Sequence, residues 1–279
     1  MGNEPVNRHA EKTVIVTGGA SGIGLAVVEH FASQGNNVAI FDVNLEVGKQ
    51  VVSNISDKNP EAKVLFKKCD VSSWKSQTEA FKDVFNEFGR IDIVMANAGI
   101  SEQGASAMAG IEEDEPKEPN LKIMDVNLSG VIFTVKIAIH YMNKNPSPGP
   151  SRGSIICTAS NAGFYPFPVS PLYAAAKAGV IGLVRSTAPI LERHNIQING
   201  LAPAVLVTNI APDKALFKDM IITPMSTLIK GVKKFVDDPT LNGEVAEIHG
   251  EHATLRPPHE YVDEDSKKNL ERFWSLGYA

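Results

Sequence analysis

The stretch Thr17-Gly18-Gly19-Ala20-Ser21-Gly22-Ile23-Gly24 lies between two segments of different periodicity. The β-branched apolar run Thr13–Val16 before it predicts a buried strand, and the apolar spacing of Ile23–Ala32 after it predicts a helix. Glycines spaced G-x-x-x-G-x-G at such a turn are typical of dinucleotide binding. A glycine-rich βα turn without a ligand is the alternative that this stretch leaves open.

Three of these glycines have a predicted physical role. Gly18 allows the tight turn off the strand. Gly22 and Gly24 lack a Cβ, so that a cofactor can approach the backbone and the helix can pack closely on the sheet. The N-terminus of the helix would then present free N–H groups and a partial positive charge to a pyrophosphate.

The composition fits one large α/β domain over residues 1–279. Apolar residues make up 43% of the chain, and its net charge of −5 argues against a surface that binds nucleic acid. No apolar run has the length of a membrane span, and Met1–Lys12 is polar, unlike a signal peptide. We therefore expect a cytoplasmic protein.

Both cysteines, Cys69 and Cys157, lie in or beside apolar runs that resemble strands. This placement predicts buried free thiols and neither a disulfide framework nor a metal site. The seven histidines show no spacing typical of metal ligands, so no metal is expected.

Strand and helix patterns alternate along the rest of the chain. Further strands are predicted at Val38–Phe41, Lys63–Phe66, Ile91–Ala96, Gly153–Thr158, Ile196–Asn199 and Glu244–Ile248. Helices are predicted at Leu45–Ile55, Ser73–Phe88, Leu121–Asn143 and Leu172–Arg193, with a surface turn at Pro146–Pro150. Strands separated by single helices predict a doubly wound, parallel, seven-stranded sheet of the Rossmann type, in three αβα layers.

Asp42 follows the second predicted strand, 18 residues after Gly24. A carboxylate at this position can accept hydrogen bonds from both ribose hydroxyls of adenosine and would repel a 2′-phosphate. No Arg or Lys follows it before Lys49, so both observations favour NAD over NADP. Asp70, after the third strand, could bind the adenine amino group or only cap the next turn.

Tyr173 and Lys177 are four residues apart on one face of a predicted helix. An ammonium beside a phenol lowers the pKa of the phenol, which makes the pair a plausible acid/base. Such a pair also occurs by chance on amphipathic helices. Two further residues favour chemistry, because the hydroxyl of Ser160 could polarise a carbonyl and the amide of Asn127 could distort its helix and hold a water.

These motifs together resemble the short-chain dehydrogenase/reductase family over about residues 12–248. The resemblance rests on Thr17–Gly24, Asn97-Ala98-Gly99, Asn127, Ser160, Tyr173 and Lys177. It implies that Tyr173 is the general acid/base and that Lys177 lowers its pKa and binds the nicotinamide ribose. It also implies that Ser160 positions the substrate oxygen and that Asn127 supports a proton relay through water.

The same resemblance implies a binding site for NAD. Asn97 and Gly99 would line the adenosine side, and Thr208 would bind the nicotinamide carboxamide. The implied cofactor site consists of Gly18, Ser21, Gly22, Ile23, Gly24, Asp42, Asp70, Val71, Asn97, Gly99, Tyr173, Lys177, Pro203, Leu206 and Thr208.

Within the family, Phe41–Glu46 and Val236–Gly243 resemble the 15-hydroxyprostaglandin dehydrogenase branch. This implies NAD-dependent oxidation of a secondary alcohol on a lipophilic molecule. Two alternatives are a ketoreductase acting on polyketide- or terpenoid-like substrates and a non-redox cofactor-binding protein on the same fold. The helices Leu121–Asn143 and Leu172–Arg193 resemble the family's dimer-forming pair, which implies a homodimer or homotetramer.

The chain departs from the family pattern in three places. Pro203-Ala204 replaces the family's Pro-Gly, which puts the local backbone in question, and the acidic segment Ile111–Pro119 is longer than usual. The tail His249–Ala279 continues past the last predicted strand and carries an apolar stripe at Leu270, Phe273, Trp274 and Leu276. We expect this stripe to pack on the core or on a neighbouring subunit; alternatively, it caps the substrate pocket.

The loop Leu206–Lys234 corresponds to the family's variable substrate lid. It carries the apolar residues Ile210, Leu216, Phe217, Met220, Ile221, Ile222 and Met225. An apolar lid that contains methionine suits a hydrophobic substrate. The alternative is that these residues fill the core beneath the lid.

Overall fold

The structure, a computed structural model, describes residues 12–102, 108, 114–146, 151–210 and 217–277. Several sequence-based expectations fall partly or wholly outside these residues. They concern the polar segment Met1–Lys12, the acidic segment Ile111–Pro119, the surface turn Pro146–Pro150, Leu216 and the last two residues of the tail.

Eight strands form one sheet in the order β3-β2-β1-β4-β5-β6-β7-β8. The strands are β1 Thr13–Thr17, β2 Asn37–Asp42, β3 Val64–Lys68, β4 Ile93–Ala96, β5 Gly153–Thr158, β6 Ile196–Pro203, β7 Val245–His249 and β8 His252–Leu255. The first seven pair in parallel, which confirms the predicted doubly wound sheet. β8 was not predicted; it pairs antiparallel with β7 and forms the edge of the sheet.

The helices lie on both faces of the sheet. They are α1 Gly22–Ala32, α2 Leu45–Lys58, α3 Trp74–Phe88, α4 Lys122–Met124, α5 Gly130–Met142, α6 Pro171–Glu192, α7 Met225–Asp237 and α8 Glu264–Ser275. A π-helical turn, Asp125–Ser129, joins α4 to α5. Both ends of α3 are capped: the Ser73 side chain accepts from Ser76 N–H, and Gly89 ends the helix with a φ of 71°.

Alternate side chains along a strand point to opposite faces of the sheet and contribute to two hydrophobic cores. In β1, Ile15 faces the core shared with α3, α5 and α6, whereas Val14 and Val16 face the core shared with α1, α2 and α7. The strand order changes direction between β1 and β4, because the chain runs from β1 to β3 on one side and returns to β4 on the other. Ligands of such sheets bind at this switch point, at the carboxyl ends of the strands.

Two helical stretches are long and apolar enough to cross a membrane by length and composition alone, Lys122–Met142 and Pro171–Glu192. Both flank the sheet and contribute buried residues to the same core. Core helices of soluble proteins pass this test as well, so the observation is weak evidence for a span.

The predicted lid and tail differ from expectation in the described residues. The second half of the lid is the helix α7, whose Leu228, Val232 and Phe235 are fully buried in the core. The tail begins with β8 and ends in α8, which has no buried residue and therefore does not pack on its own core.

Candidate active site

A cleft of about 570 Å³ opens at the carboxyl ends of β1 and β4. All predicted site residues line it except two. The lining residues predicted from sequence are Gly18, Ser21, Gly22, Ile23, Asp42, Asp70, Val71, Asn97, Gly99, Ser160, Tyr173, Lys177, Pro203, Leu206 and Thr208. Gly24 and Asn127 lie directly behind the lining.

The glycine turn forms the floor of the cleft between β1 and α1. Gly18 has a φ of 64°, and a Cβ on it would lie 2.9 Å from the Cα of Ala98. A Cβ on Gly24 would overlap the carbonyl oxygen of Gly18. Close packing inside the turn, and not access for a ligand, therefore requires glycine at position 24.

The N-terminus of α1 lacks a side-chain cap. Ser21 is the N-cap residue, and its side chain makes no capping hydrogen bond. Ser21, Gly22 and Ile23 all line the cleft, so the free N–H groups of the first turn lie at its floor. An uncapped helix N-terminus that lines a cleft suits an anionic phosphate group.

Thr17 joins the ends of β1 and β4. Its Oγ1 accepts hydrogen bonds from the backbone N–H groups of Asn97, at 2.9 Å, and Ala98, at 3.0 Å. The Asn97 side chain donates to Thr17 O at 3.0 Å and accepts from Thr158 Oγ1 at 3.1 Å, which adds β5 to the network. The sequence analysis did not identify Thr17 and Thr158 as residues that hold the site together. Each is the last residue of a strand, and this position could have indicated the role.

Two carboxylates lie at the end of the cleft next to β2 and β3. Asp42 accepts from the N–H groups of Ala20, at 3.2 Å, and Asn44, at 3.0 Å, one on each oxygen. Asp70 accepts from the N–H and the hydroxyl of Ser72 through Oδ1, so it does cap the next turn. Each carboxylate oxygen has more than one lone pair, and both residues retain acceptor capacity toward the cleft.

Ser160, Tyr173 and Lys177 lie at the opposite end of the cleft, where β5 and α6 meet. The Lys177 Nζ donates to Thr158 O at 2.8 Å and lies 5.6 Å from the centre of the Tyr173 ring. Burial lowers the pKa of Lys177 to about 8, and the nearby Cys157 opposes this effect. At neutral pH the ammonium is still the main form.

Burial raises the pKa of Tyr173 in this structure, and hydrogen bonding with Ser160 opposes the rise. The sequence-based expectation was a lowered pKa. The difference arises because desolvation disfavours the charged phenolate, and the hydrogen bond with Ser160 offsets only part of this cost.

Asn127 lies in the π-helical turn, fully buried, which agrees with a distorted helix at this position. Its side chain pairs with one backbone unit: Oδ1 accepts from Ile100 N and Nδ2 donates to Ile100 O, both at 2.8 Å. Asn127 therefore holds the loop after β4. A Cβ on Gly99 would lie 3.3 Å from its Oδ1 and 3.7 Å from Lys177 Nζ, which places the amide close to the ammonium.

Two further hydrogen bonds join the loop after β4 to neighbouring segments. Ser170, the N-cap of α6, donates to Glu102 at 2.5 Å, and Ser101 donates to Ile210 O at 2.8 Å. Ala204, which stands in place of the family's glycine, causes no backbone strain, because among the described residues only Asn195 has a positive φ without being glycine.

Both cysteines are buried and free, as predicted. Burial raises the pKa of Cys69 to about 11 and the pKa of Cys157 to about 12.

The residues present fit a dinucleotide with a nicotinamide ring. The acceptors Asp42 and Asp70 are at one end, the uncapped helix is in the middle, and the Tyr173–Lys177 pair is at the other end of one cleft. This order matches an adenosine, a pyrophosphate and a ribose-linked ring.

Comparison with known proteins identifies the family. The family model described as short chain dehydrogenase matches residues 12–218. A protein named short-chain dehydrogenase/reductase prx4 from Penicillium roqueforti is 37% identical over 210 residues, which cover 75% of this chain and 59% of that protein. The chain thus spans under two thirds of the length of this relative.

Two other similarities cover more of both proteins. The 15-hydroxyprostaglandin dehydrogenase [NAD(+)] of Mus musculus is 31% identical over 256 residues, 85% of this chain and 89% of that protein. A crystal structure of levodione reductase superimposes with a TM-score of 0.75 at 27% identity and covers 86% of this chain and 96% of the other.

Proposed function

The chain belongs to the short-chain dehydrogenase family, and we propose that it transfers hydride between a secondary alcohol or ketone on a lipophilic small molecule and NAD. The observation that carries the proposal is the shared cleft. The acid/base pair Tyr173 and Lys177, the glycine turn and Asp42 all line one cavity at the switch point of the sheet. A binding turn alone would support only a cofactor site.

In the proposed mechanism, protein side chains transfer the proton and the cofactor accepts the hydride. In the oxidation direction, the Tyr173 phenolate takes the proton of the substrate hydroxyl, and Ser160 donates a hydrogen bond to the oxygen that becomes the carbonyl. The Lys177 ammonium stabilises the phenolate. Bound NAD supplies the hydride acceptor for the carbinol hydrogen. Although burial lowers the pKa of Lys177 to about 8, the ammonium remains the main form at neutral pH.

Asp42 supports NAD as the cofactor. It lies at the end of the cleft that suits adenosine, and a negative charge there disfavours a 2′-phosphate. The relative from Mus musculus carries NAD(+) in its name, which agrees with this choice.

The cleft surroundings support a lipophilic substrate. Apolar side chains that line it include Phe41, Val43, Ile100, Leu206 and Ile210, and Phe167 is exposed nearby. The Phe167 ring lies 6.2 Å from the Tyr173 ring, so this surface adjoins the proposed acid/base. Apolar lining with few polar groups is typical of sites for hydrophobic small molecules.

Reduction of a ketone is the second candidate, because a protein similar in structure is named levodione reductase. The same residues would act in reverse, with Tyr173 donating the proton. We further propose that the enzyme acts in the cytoplasm as a homodimer or homotetramer and that the chain forms one domain, with a substrate lid over 206–234 and a C-terminal extension over 249–279.

The test is the variant Tyr173→Phe, assayed by NADH absorbance with lipophilic secondary alcohols and, in reverse, with the ketones. It removes the hydroxyl and keeps the ring, so we expect turnover to fall by about a thousandfold or more, with NAD affinity within about twofold of wild type. Tyr141→Phe, on α5 away from the cleft, is the matched control. Turnover in Tyr173→Phe similar to wild type would refute the mechanism. A wild-type protein that binds NAD without redox activity would favour the non-redox alternative.

A further inference from the structure

A buried glutamine outside the cleft makes hydrogen bonds to two segments that form it. Gln77, on α3, has no exposed surface. Its Nε2 donates to Val71 O at 2.6 Å and to Gly130 O at 2.9 Å. Its Oε1 accepts from the hydroxyl of Thr134 at 2.8 Å. Both N–H donors and the oxygen of the amide therefore have partners, and these partners fix the orientation of the amide.

The first contact holds the adenosine end of the cleft, next to β3. Asp70 and Val71 both line the cleft. The Asp70 N–H donates to Ser76 Oγ at 3.1 Å, and Gln77 holds the carbonyl of the next residue, Val71. Adjacent residues of α3 thus bind adjacent residues of the loop. A shift of the Gln77 amide would move the backbone that carries the Asp70 carboxylate.

The second contact holds the end of the π-helical turn. The N–H of Gly130 donates to Asp125 O, five residues back, which is the hydrogen bond that closes the turn. The carbonyl oxygen of Gly130 accepts from Gln77 and from the Thr134 hydroxyl. Gly130 also packs against the adenosine end, because a Cβ on it would lie 3.0 Å from Val71 Cγ2.

The π-helical turn carries Asn127, which acts on the other end of the cleft. Asn127 pairs with the backbone of Ile100, and Ile100 lines the cleft. A Cβ on Gly99, the residue before it, would lie 3.7 Å from Lys177 Nζ. Hydrogen bonds and one helical turn therefore connect the adenosine end, through Gln77, to the loop beside Lys177.

We infer that Gln77 is a positioning residue for the cofactor cleft, which holds the backbone of Val71 and the turn of Asn127 in a fixed mutual arrangement. Gln77 does not line the cleft, so its effect passes through Val71 and Gly130. An apolar side chain of similar length would leave both carbonyls and the Thr134 hydroxyl without this partner. The part of the inference that concerns turnover rests on the proposed function.

Gln197 provides a matched control. It is also buried, at 5% exposure, and its Nε2 donates to the backbone carbonyls of Phe235, Asp238 and Leu241. It lies near the start of β6, at the edge of the sheet opposite the cleft, and does not line the cleft. Gln77→Met and Gln197→Met each remove buried hydrogen bonds to backbone carbonyls. Both should lower the urea midpoint, but only Gln77→Met should alter the cleft.

The first test measures hydrogen exchange in the cofactor-free protein by mass spectrometry. The Ile100 N–H donates to Asn127 and the Gly130 N–H closes the π-helical turn, so peptides that contain these two amides report on the inferred arrangement. In Gln77→Met they should exchange about tenfold faster than in wild type, and in Gln197→Met at the wild-type rate. Unchanged exchange in Gln77→Met, or equal acceleration in both variants, would overturn the inference.

The second test measures the affinity for NAD and for ADP by calorimetry. ADP has the adenosine and the pyrophosphate but no nicotinamide, so its affinity reports on the contact of Gln77 with Val71. We expect Gln77→Met to bind both probes about tenfold more weakly than wild type, and Gln197→Met to bind them within about twofold of wild type. Affinities of Gln77→Met that match those of Gln197→Met would contradict a positioning role.

Two variants of Thr134 decide the question if Gln77→Met does not fold. Thr134→Val keeps the shape of the side chain and removes the hydroxyl that donates to the Gln77 amide, whereas Thr134→Ser keeps the hydroxyl. Thr134→Val should bind NAD about threefold more weakly than wild type, and Thr134→Ser should restore the affinity. Equal exchange and equal affinity in these two variants would count against Gln77.

Turnover separates this inference from the proposed function. In an active enzyme, Gln77→Met should raise KM for NAD about tenfold and also lower kcat, because the turn of Asn127 moves, whereas Gln197→Met should keep both values per folded molecule. Unchanged kcat and KM in Gln77→Met would overturn the inference. A wild type without redox activity, or without affinity for either probe, would refute the proposed function, and the exchange result would still decide the role of Gln77.

Discussion

The side chain of Lys177 lies in the protein interior, away from water. It is 2% exposed, and the hydrogen bond to Thr158 O is the polar contact that holds its Nζ in place. The pKa of about 8 therefore reflects the cost of keeping a charge in the protein interior. This cost is tolerated because the proposed chemistry requires an ammonium next to Tyr173.

A pH dependence of stability follows for Lys177. The folded chain releases the lysine proton near pH 8, and the unfolded chain keeps it to about 10.5, so the unfolded state binds more protons in between. Stability due to this group therefore rises with pH, by about 1 kcal/mol between pH 8 and 9.

The variant Lys177→Met should lack this rise in urea unfolding of the cofactor-free protein. The buried thiols, whose raised pKa values lower stability above about pH 9, are common to both proteins, so the difference isolates Lys177. A stability difference that stays constant from pH 7 to 9 would contradict the assignment.

We expect the carboxylate of Asp42 to determine the preference for NAD over NADP. Asp42→Ala removes the negative charge at the adenosine end, so we expect the preference for NAD over NADP to fall by about tenfold or more. The measurement is kcat/KM for each cofactor, or the dissociation constants from calorimetry. Glu46→Ala, at an exposed acid in the first turn of α2, is the control and should leave the ratio unchanged. An unchanged ratio in Asp42→Ala would show that Asp42 does not discriminate between the cofactors.

At the scale of elements, the helix that contains Asn127 shows what local pattern can and cannot predict. Apolar periodicity predicted one helix over Leu121–Asn143, and the structure has helical turns from Lys122 to Met142. Apolar periodicity could predict neither the π-helical turn nor the hydrogen bonds between Asn127 and Ile100. They depend on a contact between residues 27 apart in sequence.

Replacing glycine by alanine should have opposite effects on stability at two helical positions, Gly24 and Gly182. Gly24→Ala places a Cβ against the Gly18 carbonyl oxygen, so we expect a loss of about 1–3 kcal/mol in unfolding free energy and weaker NAD binding. Gly182→Ala, on α6, meets nothing within 4 Å and should stabilise the chain by up to about 1 kcal/mol. Urea unfolding and NAD titration of both variants are the measurements. Equal effects at the two positions would show that the turn is not tightly packed.

At the scale of the whole molecule, the cleft joins segments from the entire sequence. Residues from Gly18 to Ile210 line it, so a ligand that binds there should stabilise the whole fold. NAD at a hundred times its dissociation constant is expected to add about 2.7 kcal/mol and to raise Tm. NADP at the same concentration should raise Tm less. Equal shifts for the two cofactors would contradict the role proposed for Asp42, and no shift with either would contradict the cofactor site.

The sequence by itself determined the layered fold and most of the proposed cleft. Its signals are local: glycines at a strand-to-helix turn, alternating strand and helix periods, and Tyr173 one helical turn before Lys177. Residues just past parallel strands meet at one edge of a sheet, so their order in the chain was enough to place them together.

Only the tertiary structure decided the rest. The bonds of Thr17 to Asn97 and Ala98 span 80 and 81 residues, and nothing local in either segment records such a pairing. The raised pKa of Tyr173 depends on how deeply the folded chain buries it. The apolar stripe of the tail was visible in the sequence, but its exposure was not, because periodicity shows that a helix has an apolar face and not which surface covers it.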